Sequence, residues 1–204
     1  MLFEDTYQTI EKYAEGTFRD RGSKFIGRAY PVNSEGEAKS ILSDIRKKYH
    51  DANHHCYAYR IGFDKSIFRN NDDGEPSGTA GKPILGQINS FALTNILVVV
   101  VRYFGGTLLG TSGLINAYKT ATEDALRNAE IIERTLHDYY LLTFPYVAMN
   151  DIMKILKDEN AGQSDQRFLL ECSLIADFRL SHRDRIIDRI ARIEGLNYRY
   201  IETK

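Results

Sequence analysis

The sequence predicts a two-domain protein of the α+β class, and two observations carry this prediction. Residues 96–101 form an unbroken apolar run, followed by a glycine loop and then by apolar residues at helical spacing. This pattern indicates a buried central strand, a loop and a helix. After residues 131–136 the pattern restarts as strand, helix, strand, strand, helix and strand, which is typical of a ferredoxin-like two-layer unit. We therefore divide the 204 residues into predicted domains of residues 1–132 and 133–204.

The elements before the apolar run follow from alternation and helical spacing. Residues 17–32 predict two antiparallel strands joined by a polar turn at residues 20–23. Ser34 is expected to cap an amphipathic helix that reaches Tyr49. Residues 54–63 predict a strand, with residues 65–69 as its hairpin partner. As a strand, this segment places His54, Cys56, Ala58 and Arg60 on one face and His55, Tyr57, Tyr59 and Ile61 on the other.

Two segments on either side of the run complete the first domain. Residues 70–82 are acidic, rich in glycine and too long for a simple turn, and loops of this kind are often functional. Pro83 is expected at the first position of a short helix that extends to Ser90. After the glycine loop, a longer helix is expected through about Ala129.

The second domain is predicted from a similar set of signals. Residues 139–144, 168–178 and 196–201 read as strands, with a further short strand at residues 163–166. One helix is expected around residues 149–156, and Ser181 is expected to cap another that Gly195 stops.

Composition narrows the classes of function. The chain has 27 Lys and Arg against 28 Asp and Glu, so any nucleic-acid site has to be a local patch. No apolar segment reaches the roughly 18 residues that a membrane span requires, and no signal peptide is evident, so we expect a cytoplasmic protein without a membrane partner. Cys56 and Cys172 fall in different predicted domains and are expected to be free thiols.

Three motifs carry a resemblance to a known family. They are HHCYA at residues 54–58, DDGEPSGTAGKPIL at residues 72–85 and NILVVVVRYFGGTLLGTSGL at residues 95–114, the last followed by Ala117 and Tyr118. Their order and separation resemble the IMPACT family, also called the YigZ family, and the layout of the last third is similar to that of its bacterial two-domain members.

The resemblance implies a fold for each domain and a process in which the protein acts. The first domain is expected to be similar to domain 2 of ribosomal protein S5, and the second to the ferredoxin-like domain V of elongation factor G. Both relatives are translation components that contact RNA, and the eukaryotic family member is linked to translational control.

We expect a ligand or anion site where the acidic loop meets the glycine loop. A strand, glycine loop and helix direct free backbone N–H groups and the positive end of the helix dipole to one place. Arg102 ends the apolar strand, where it faces a cleft or pairs with a carboxylate of the acidic loop. The candidate residues are His54, Asp72, Asp73, Glu75, Ser77, Thr79, Arg102, Gly105, Gly106 and Gly110.

Several other interpretations of this site remain open. Thr111 stands where a nucleotide-binding loop has its lysine, so the sequence argues against an NTPase. Tight turns and close packing of helix on strand explain the glycines equally well. We predict no metal and no cofactor, with Mg²⁺ on the neighbouring carboxylates as the weaker alternative. Cys56 is expected to be buried and inert.

The first predicted hairpin supplies the RNA-binding candidates, which are Arg19, Arg21, Lys24 and Arg28. They alternate with Phe18, Phe25 and Tyr30, and basic residues among aromatics on a sheet can hold phosphates and stack bases. A solvated hairpin with its aromatic rings in the core explains the same pattern. The arginines near the carboxyl terminus alternate with aspartates, which favours a solvated helix face.

The sequence favours a non-enzymatic, regulatory binding protein associated with translation. The expected partner is RNA, the ribosome or a ribosome-bound factor. The alternative is a small phosphate-handling or hydrolytic enzyme with its site at the glycine loop and the acidic loop. A third interpretation is a protein-interaction scaffold in which the glycine loop is only architectural.

Overall fold

A computed structural model describes residues 5–204. The protein has the mixed α and β composition that was predicted. Residues 7–134 form one compact unit, which we call the first unit, and residues 5–6 with 135–204 form a second unit. We expected a boundary between two independently folding domains at residues 132 and 133, and this boundary stays a prediction.

The elements from β1 to β7 build the first unit, except that the outermost residues, Thr6 and Thr135, belong to the second. They are β1 (Thr6–Ile10), β2 (Ala14–Asp20), β3 (Ser23–Pro31), α1 (Glu35–Lys48), β4 (His54–Ile61), β5 (Ile67–Asn71), α2 (Gly81–Ser90), β6 (Ile96–Tyr103), α3 (Gly110–Arg127) and β7 (Ile131–Thr135). Five of the strands form one sheet in the order β2-β3-β6-β4-β5, and every neighbouring pair is antiparallel. β6 lies in the middle, and residues 96–101 are fully buried, so the prediction of a central strand is confirmed.

Helices cover both faces of this sheet because successive side chains of a strand point to opposite faces. Cys56 and Ala58 of β4 pack in one core with residues of α2 and α3. Tyr57 and Tyr59 pack in another core with residues of α1. The predicted facing of β4 is therefore confirmed for Cys56 and Ala58.

The start of one helix was predicted correctly from the sequence, and the start of another was not. Ser34 caps α1, since its Oγ accepts the N–H of Glu37 at 3.2 Å. Pro83 is the third residue of α2 and not the first, as had been predicted. The helix starts earlier because an aspartate carboxylate, described below, accepts the N–H group of Gly81 in its first turn.

A two-stranded sheet of β1 and β7 was missed by the sequence prediction. Residues 131–136 were read as a boundary, yet most of them belong to β7. Each strand has five residues, too few for a clear alternating pattern.

The second unit has the predicted order of strand, helix, strand, strand, helix and strand. Its elements are β8 (His137–Pro145), α4 (Met149–Asp158), β9 (Gly162–Arg167), β10 (Glu171–Arg179), α5 (Arg183–Ile190) and β11 (Asn197–Thr203). The sheet is antiparallel in the order β11-β8-β10-β9. Residues of β8 and β10 form a core with α4 and α5.

Two details of the second unit differ from the prediction. Ser181 does not cap α5, because it lies in a 3₁₀ turn (Leu180–His182) and His182 is the residue at the N-cap position. β10 begins at Glu171, which leaves Leu169 and Leu170 exposed before it. Within residues 5–204, no helix has both the length and the hydropathy that crossing a membrane requires.

Candidate functional site

Asp72 holds the acidic loop together from inside. One of its carboxylate oxygens accepts the N–H groups of Ala80 and Gly81 at 3.0 and 2.8 Å, and the other accepts that of Gly78 at 2.9 Å. Burial alone would raise the pKa of Asp72, but the three backbone hydrogen bonds outweigh it and lower the pKa below its ordinary value. The Asp72 carboxylate therefore acts as a clamp on the loop backbone.

The neighbouring loop residues are also bound within the protein. Asp73 pairs with Arg46 at 2.9 Å and accepts the N–H of His55 at 2.7 Å. Thr79 is buried and donates its hydroxyl to the carbonyl of Pro76 at 2.6 Å. Ser77 is exposed.

Glu75 is the acidic residue that meets Arg102. The two side chains are only 3% and 6% exposed, and Oε1 of Glu75 lies 2.5 Å from Nη1 of Arg102. The same oxygen accepts the hydroxyl of Tyr118 at 2.7 Å. Nε of Arg102 is buried without a hydrogen-bond partner among the described residues. The pair is therefore a sealed ionic contact with an unused donor on the arginine.

Cys56 lies beside this pair on the neighbouring strand. Its Sγ is 2.9 Å from the carbonyl oxygen of Asp72 and 3.3 Å from the hydroxyl of Tyr118. Burial raises the pKa of the Cys56 thiol and that of the Tyr118 hydroxyl far above their ordinary values. Neither group ionises near neutral pH, so neither is an activated nucleophile.

His54 completes the polar group. The register of β4 and β6 places it opposite Arg102, and its Nδ1 lies 2.9 Å from the carbonyl oxygen of Asp73. Since a carbonyl can only accept, Nδ1 carries a proton. Nε2 of His54 then lies 3.8 Å from Oε1 of Glu75.

These residues lie at a cavity of about 480 Å³, within the range of roughly 300–1,000 Å³ found for small-ligand sites. Of the predicted candidates, His54, Glu75, Arg102 and Gly110 line it, and Asp72, Asp73, Ser77, Thr79, Gly105 and Gly106 do not. The prediction missed the other lining residues, which are Asn53, Pro76, Phe104, Leu108, Leu109, Thr111 and Leu114. The sequence signal that could have found them was the pair of leucines, Leu108 and Leu109, inside a glycine-rich loop.

Gly105 and Gly106 shape the loop that borders the cavity. A Cβ at Gly105 would lie 1.9 Å from the carbonyl carbon of Gly22, so only glycine fits at this approach. The N–H of Gly105 donates to Oγ of Ser23 at 3.1 Å. The cavity loop is thus joined directly to the turn between β2 and β3.

Three of the four RNA-binding candidates lie in that turn or within two residues of it. Arg19 and Arg21 are exposed and Lys24 is half-buried, and none of the three forms an ion pair within residues 5–204. Arg19 and Lys24 are cross-strand partners and so share a face of the sheet.

Arg28 differs from the other three. It is 7% exposed, pairs with Glu15 at 3.0 Å and donates to the hydroxyls of Tyr30 and Tyr49. Its guanidinium also lies over the ring of Tyr13 at 4.9 Å. Through these contacts Arg28 packs within the protein at the first hairpin.

Within residues 5–204, no three His, Cys, Asp or Glu side chains are grouped so that they could hold a metal ion. The loop carboxylates that were the alternative Mg²⁺ ligands are engaged by backbone N–H groups or by arginines. The polar residues of the site therefore bind one another.

Comparison with known proteins assigns the chain to a family. The Impact N-terminal domain matches residues 21–126, which is more than half of the chain and includes every residue that lines the cavity. The chain belongs to the IMPACT family. The IMPACT family member YigZ of Escherichia coli is 37% identical over 149 residues, which cover 72% of this chain and 71% of that protein. Other bacterial IMPACT members are matched over 56–60% of their own length.

Two solved structures extend the comparison. The crystal structure of a hypothetical protein is similar over 98% of this IMPACT chain and 99% of its own, with 28% identity and a TM-score of 0.74. The structure of Yih1, described as a two-domain translational regulator, covers 63% of this chain and 49% of its own at 32% identity and a TM-score of 0.38.

Proposed function

We propose that this IMPACT family member is a non-enzymatic binding protein that acts as a regulator in translation, with RNA as its direct partner on the ribosome or on a ribosome-bound factor. The role in translation is the one that the family resemblance implies. The observation that carries the choice of RNA is the group of unpaired cations at the turn between β2 and β3. We call this group, Arg19, Arg21 and Lys24, the hairpin cations.

Charge pairing separates the hairpin cations from the other arginine-rich surface. On α5, Arg185 and Arg189 pair with Glu159, and Arg189 also pairs with Asp158. A phosphate would have to displace these carboxylates. Among the described residues the hairpin cations have no such partner, although Asp20 lies between two of them in the chain. Cations grouped at one turn provide the electrostatic attraction on which binding to a nucleic-acid backbone depends.

The finer fold assignment belongs to the same proposal. We infer that the first unit is similar to domain 2 of ribosomal protein S5, and that the second is ferredoxin-like and similar to domain V of elongation factor G. The element order and strand order of the second unit support this assignment.

The chemistry of the cavity favours binding over catalysis. A catalytic nucleophile needs a lowered pKa or an adjacent base, whereas burial raises the pKa of Cys56 and of Tyr118. Asp72 and Asp73 are held by the loop itself. The polar groups at the cavity are therefore arranged to stabilise the site.

Co-sedimentation with ribosomes and with total RNA over a salt series tests the proposal. The matched variants are Arg19→Ala/Arg21→Ala/Lys24→Ala and a control, Lys119→Ala/Lys154→Ala/Lys157→Ala, which removes the same charge from exposed sites elsewhere. We expect only the hairpin variant to lose binding, with a decrease of about 2 in the slope of log K against log salt, since each cation contributes about 0.7 on a single strand. Absence of salt-sensitive RNA binding by the intact protein would overturn the proposal.

A second candidate function is a small hydrolytic or phosphate-handling enzyme, and one observation favours it. The carbonyl of Asp73 orients the ring of His54, which lines the cavity and is of the residue type that most often serves as a general base. A hydrolase and phosphatase screen tests it. If the protein is such an enzyme, turnover should be abolished in His54→Gln and retained in the variant that lacks the hairpin cations.

A further inference from the structure

The five-stranded sheet of the first unit has two edges, and the protein closes one of them. At the edge strand β2, the N–H of Thr17 donates to the carboxylate of Asp124 at 2.8 Å. The backbone carbonyl of Glu15 accepts the side-chain amide of Asn128 at 2.9 Å. Both of these side chains come from the carboxyl-terminal end of α3. The protein itself therefore occupies backbone groups of β2, which makes this edge a poor partner for another strand.

The opposite edge strand, β5, is open. It pairs with β4, and among the described residues no hydrogen bond from outside this pairing reaches the backbone of residues 67–71. Ile67 and Phe68 are 44% and 60% exposed, although both are large and apolar. An open edge carries unpaired N–H and C=O groups on which another strand can pair. β5 therefore offers a docking place for one extended segment.

A groove of about 570 Å³ lies beside β5 and α1. The strand register places Arg69 of β5 opposite Tyr59, whose side chain packs in the core that α1 covers, so Arg69 lies on the same face of the sheet. Every charged residue that lines the groove is a cation. We call these residues the groove cations, and they are Lys39, Arg46, Lys47 and Arg69.

Most of the groove cations are available to a ligand. Among the residues that the structure describes, Arg69 has no ion pair. Lys39 and Lys47 are 67% and 76% exposed, and each pairs with an acid of α1 itself, at 3.8 and 3.4 Å. Exposed pairs of this kind contribute little. Arg46 is the exception, because it pairs with Asp73 at 2.9 Å and so contacts the acidic loop.

The edge and the groove together fit an acidic peptide in an extended conformation. Successive side chains of an added strand point to opposite faces of the sheet, so every second side chain would lie on the side of the groove cations. An RNA backbone would meet the cations but cannot form the ladder of N–H and C=O bonds that an edge strand offers. A second copy of this chain is the wrong partner, because joining two β5 strands would bring like charges together.

We propose that β5 and the groove cations bind an extended segment of a protein partner with acidic residues at alternate positions. The main chain of this segment pairs with β5, and its carboxylates lie on Lys39, Lys47 and Arg69. In this mode of recognition, backbone hydrogen bonds supply affinity and alternate side chains supply specificity. The inference does not depend on the proposed RNA contacts, because the hairpin cations belong to β2, β3 and their turn, at the other end of the strand order.

Fluorescence anisotropy on the full chain tests the charge requirement. The probe is a labelled seven-residue peptide in which Glu alternates with Val, and the controls are a Lys and Val peptide and a peptide with the Glu and Val residues in separate blocks. We expect the alternating acidic peptide to bind most tightly. The groove variant, Lys39→Ala/Lys47→Ala/Arg69→Ala, should weaken its binding about 3- to 150-fold, the sum of three exposed charge pairs.

The matched control is Lys119→Ala/Lys154→Ala/Lys157→Ala, which should bind the peptide like the intact protein. Thermal unfolding shows whether both variants fold, and all the side chains that they change are exposed. Equal binding of the peptide by the two variants would overturn the inference. So would the absence of binding by the intact protein at millimolar peptide.

N-methylation of the peptide tests the backbone pairing separately from charge. The N–H groups of a strand point alternately to its two sides, so only every second N–H of the bound peptide faces β5. One version of the acidic peptide is methylated on its Glu residues and another on its Val residues. We expect one version to keep the affinity of the unmodified peptide and the other to lose it. The same affinity for both versions would overturn pairing with the edge.

Hydrogen exchange locates the peptide on the protein. In the complex we expect slower amide exchange at residues 67–71 and unchanged exchange at β2, whose edge is closed. Slower exchange confined to other segments would overturn the inference. RNA binding that is weakened in the groove variant, together with no binding of the acidic peptide, would assign the groove to RNA and overturn the inference, whereas the proposed function would still be decided by the hairpin cations.

Discussion

Each of the two units contains a glutamate bound by arginine, and the two clusters differ in their contact with water. In the first unit, the side chains of Glu75 and Arg102 are 3% and 6% exposed. In the second unit, Glu159 is 6% exposed, but its partners Arg185 and Arg189 are 60% and 37% exposed. The same residue types therefore form a sealed pair in one place and a solvated network in the other.

The difference teaches that pairing alone does not make an ionic contact important for stability. In the sealed pair both side chains are almost fully buried, so removing one partner leaves the other buried and uncompensated. In the solvated network each arginine keeps its hydration, and water replaces a lost partner. Substitutions in the sealed pair and in the solvated network should therefore differ in their effect on stability.

Glu75→Gln should have the largest effect, because it keeps the shape of the side chain and leaves the Arg102 charge without a counter-ion. We expect the free energy of unfolding of the first unit to fall by about 3–5 kcal/mol, measured by urea unfolding followed by circular dichroism. The double variant Glu75→Gln/Arg102→Met removes both charges and should be less destabilised than Glu75→Gln alone. A decrease in unfolding free energy of less than about 1 kcal/mol in Glu75→Gln would contradict this prediction, because the pair would then contribute no more than an exposed ion pair does.

Asp72→Asn should have an intermediate effect, because Asp72 holds backbone N–H groups and no cation. We expect a loss of about 1–3 kcal/mol at neutral pH, since hydrogen bonds to a charged acceptor are replaced by weaker ones. The pKa of Asp72 is lowered in the folded protein, so its stabilisation is present above the ordinary value of 3.8 and is lost as the pH falls below it.

The pH dependence identifies this effect. The difference in unfolding free energy between the intact protein and Asp72→Asn should be constant from neutral pH to about pH 5 and should shrink below about pH 4. Ser77→Ala, in the same loop but exposed, serves as the control and should not change stability at any pH. A difference that grows on acidification would contradict the prediction.

Arg185→Ala should have the smallest effect. Glu159 keeps its contact with Arg189 at 2.6 Å, and Arg185 is mostly in water. We expect a loss of less than about 1 kcal/mol that diminishes as salt is added, because salt screens exposed charges. A larger loss that persists at high salt would show that the α5 network behaves like the sealed pair.

Much of the fold could be predicted because local patterns specify its elements. The side chains at residues 96–101 are apolar on both faces of the strand, and both faces are buried when a strand lies in the middle of a sheet. The Ser34 cap is equally local, because it binds the N–H group of a residue three positions away. The errors arise where distant contacts decide. α2 begins early because Asp72 holds its first turn, and Ser181 lies in a 3₁₀ turn next to Asp5 and not at the N-cap position of α5.

The site was predictable in its residue types and not in its arrangement. The sequence indicated that Arg102 has a choice of three loop acids, but only the folded loop selects Glu75, since Asp72 is used by backbone groups and Asp73 by Arg46. The connection between the glycine loop and the first hairpin depends on the backbone contact of Gly105 with Gly22. No periodicity in the sequence reports such a contact.

Asp5 belongs to the second unit although the whole first unit separates it in the chain from its partner, Arg179. Its carboxylate lies 2.5 and 2.9 Å from nitrogens of Arg179, and this contact lowers the pKa of Asp5. During translation the aspartate emerges first, and its partner follows only after the whole first unit has been made. A fragment that starts at residue 135 contains every strand and helix of the second unit and still lacks one of its ion pairs.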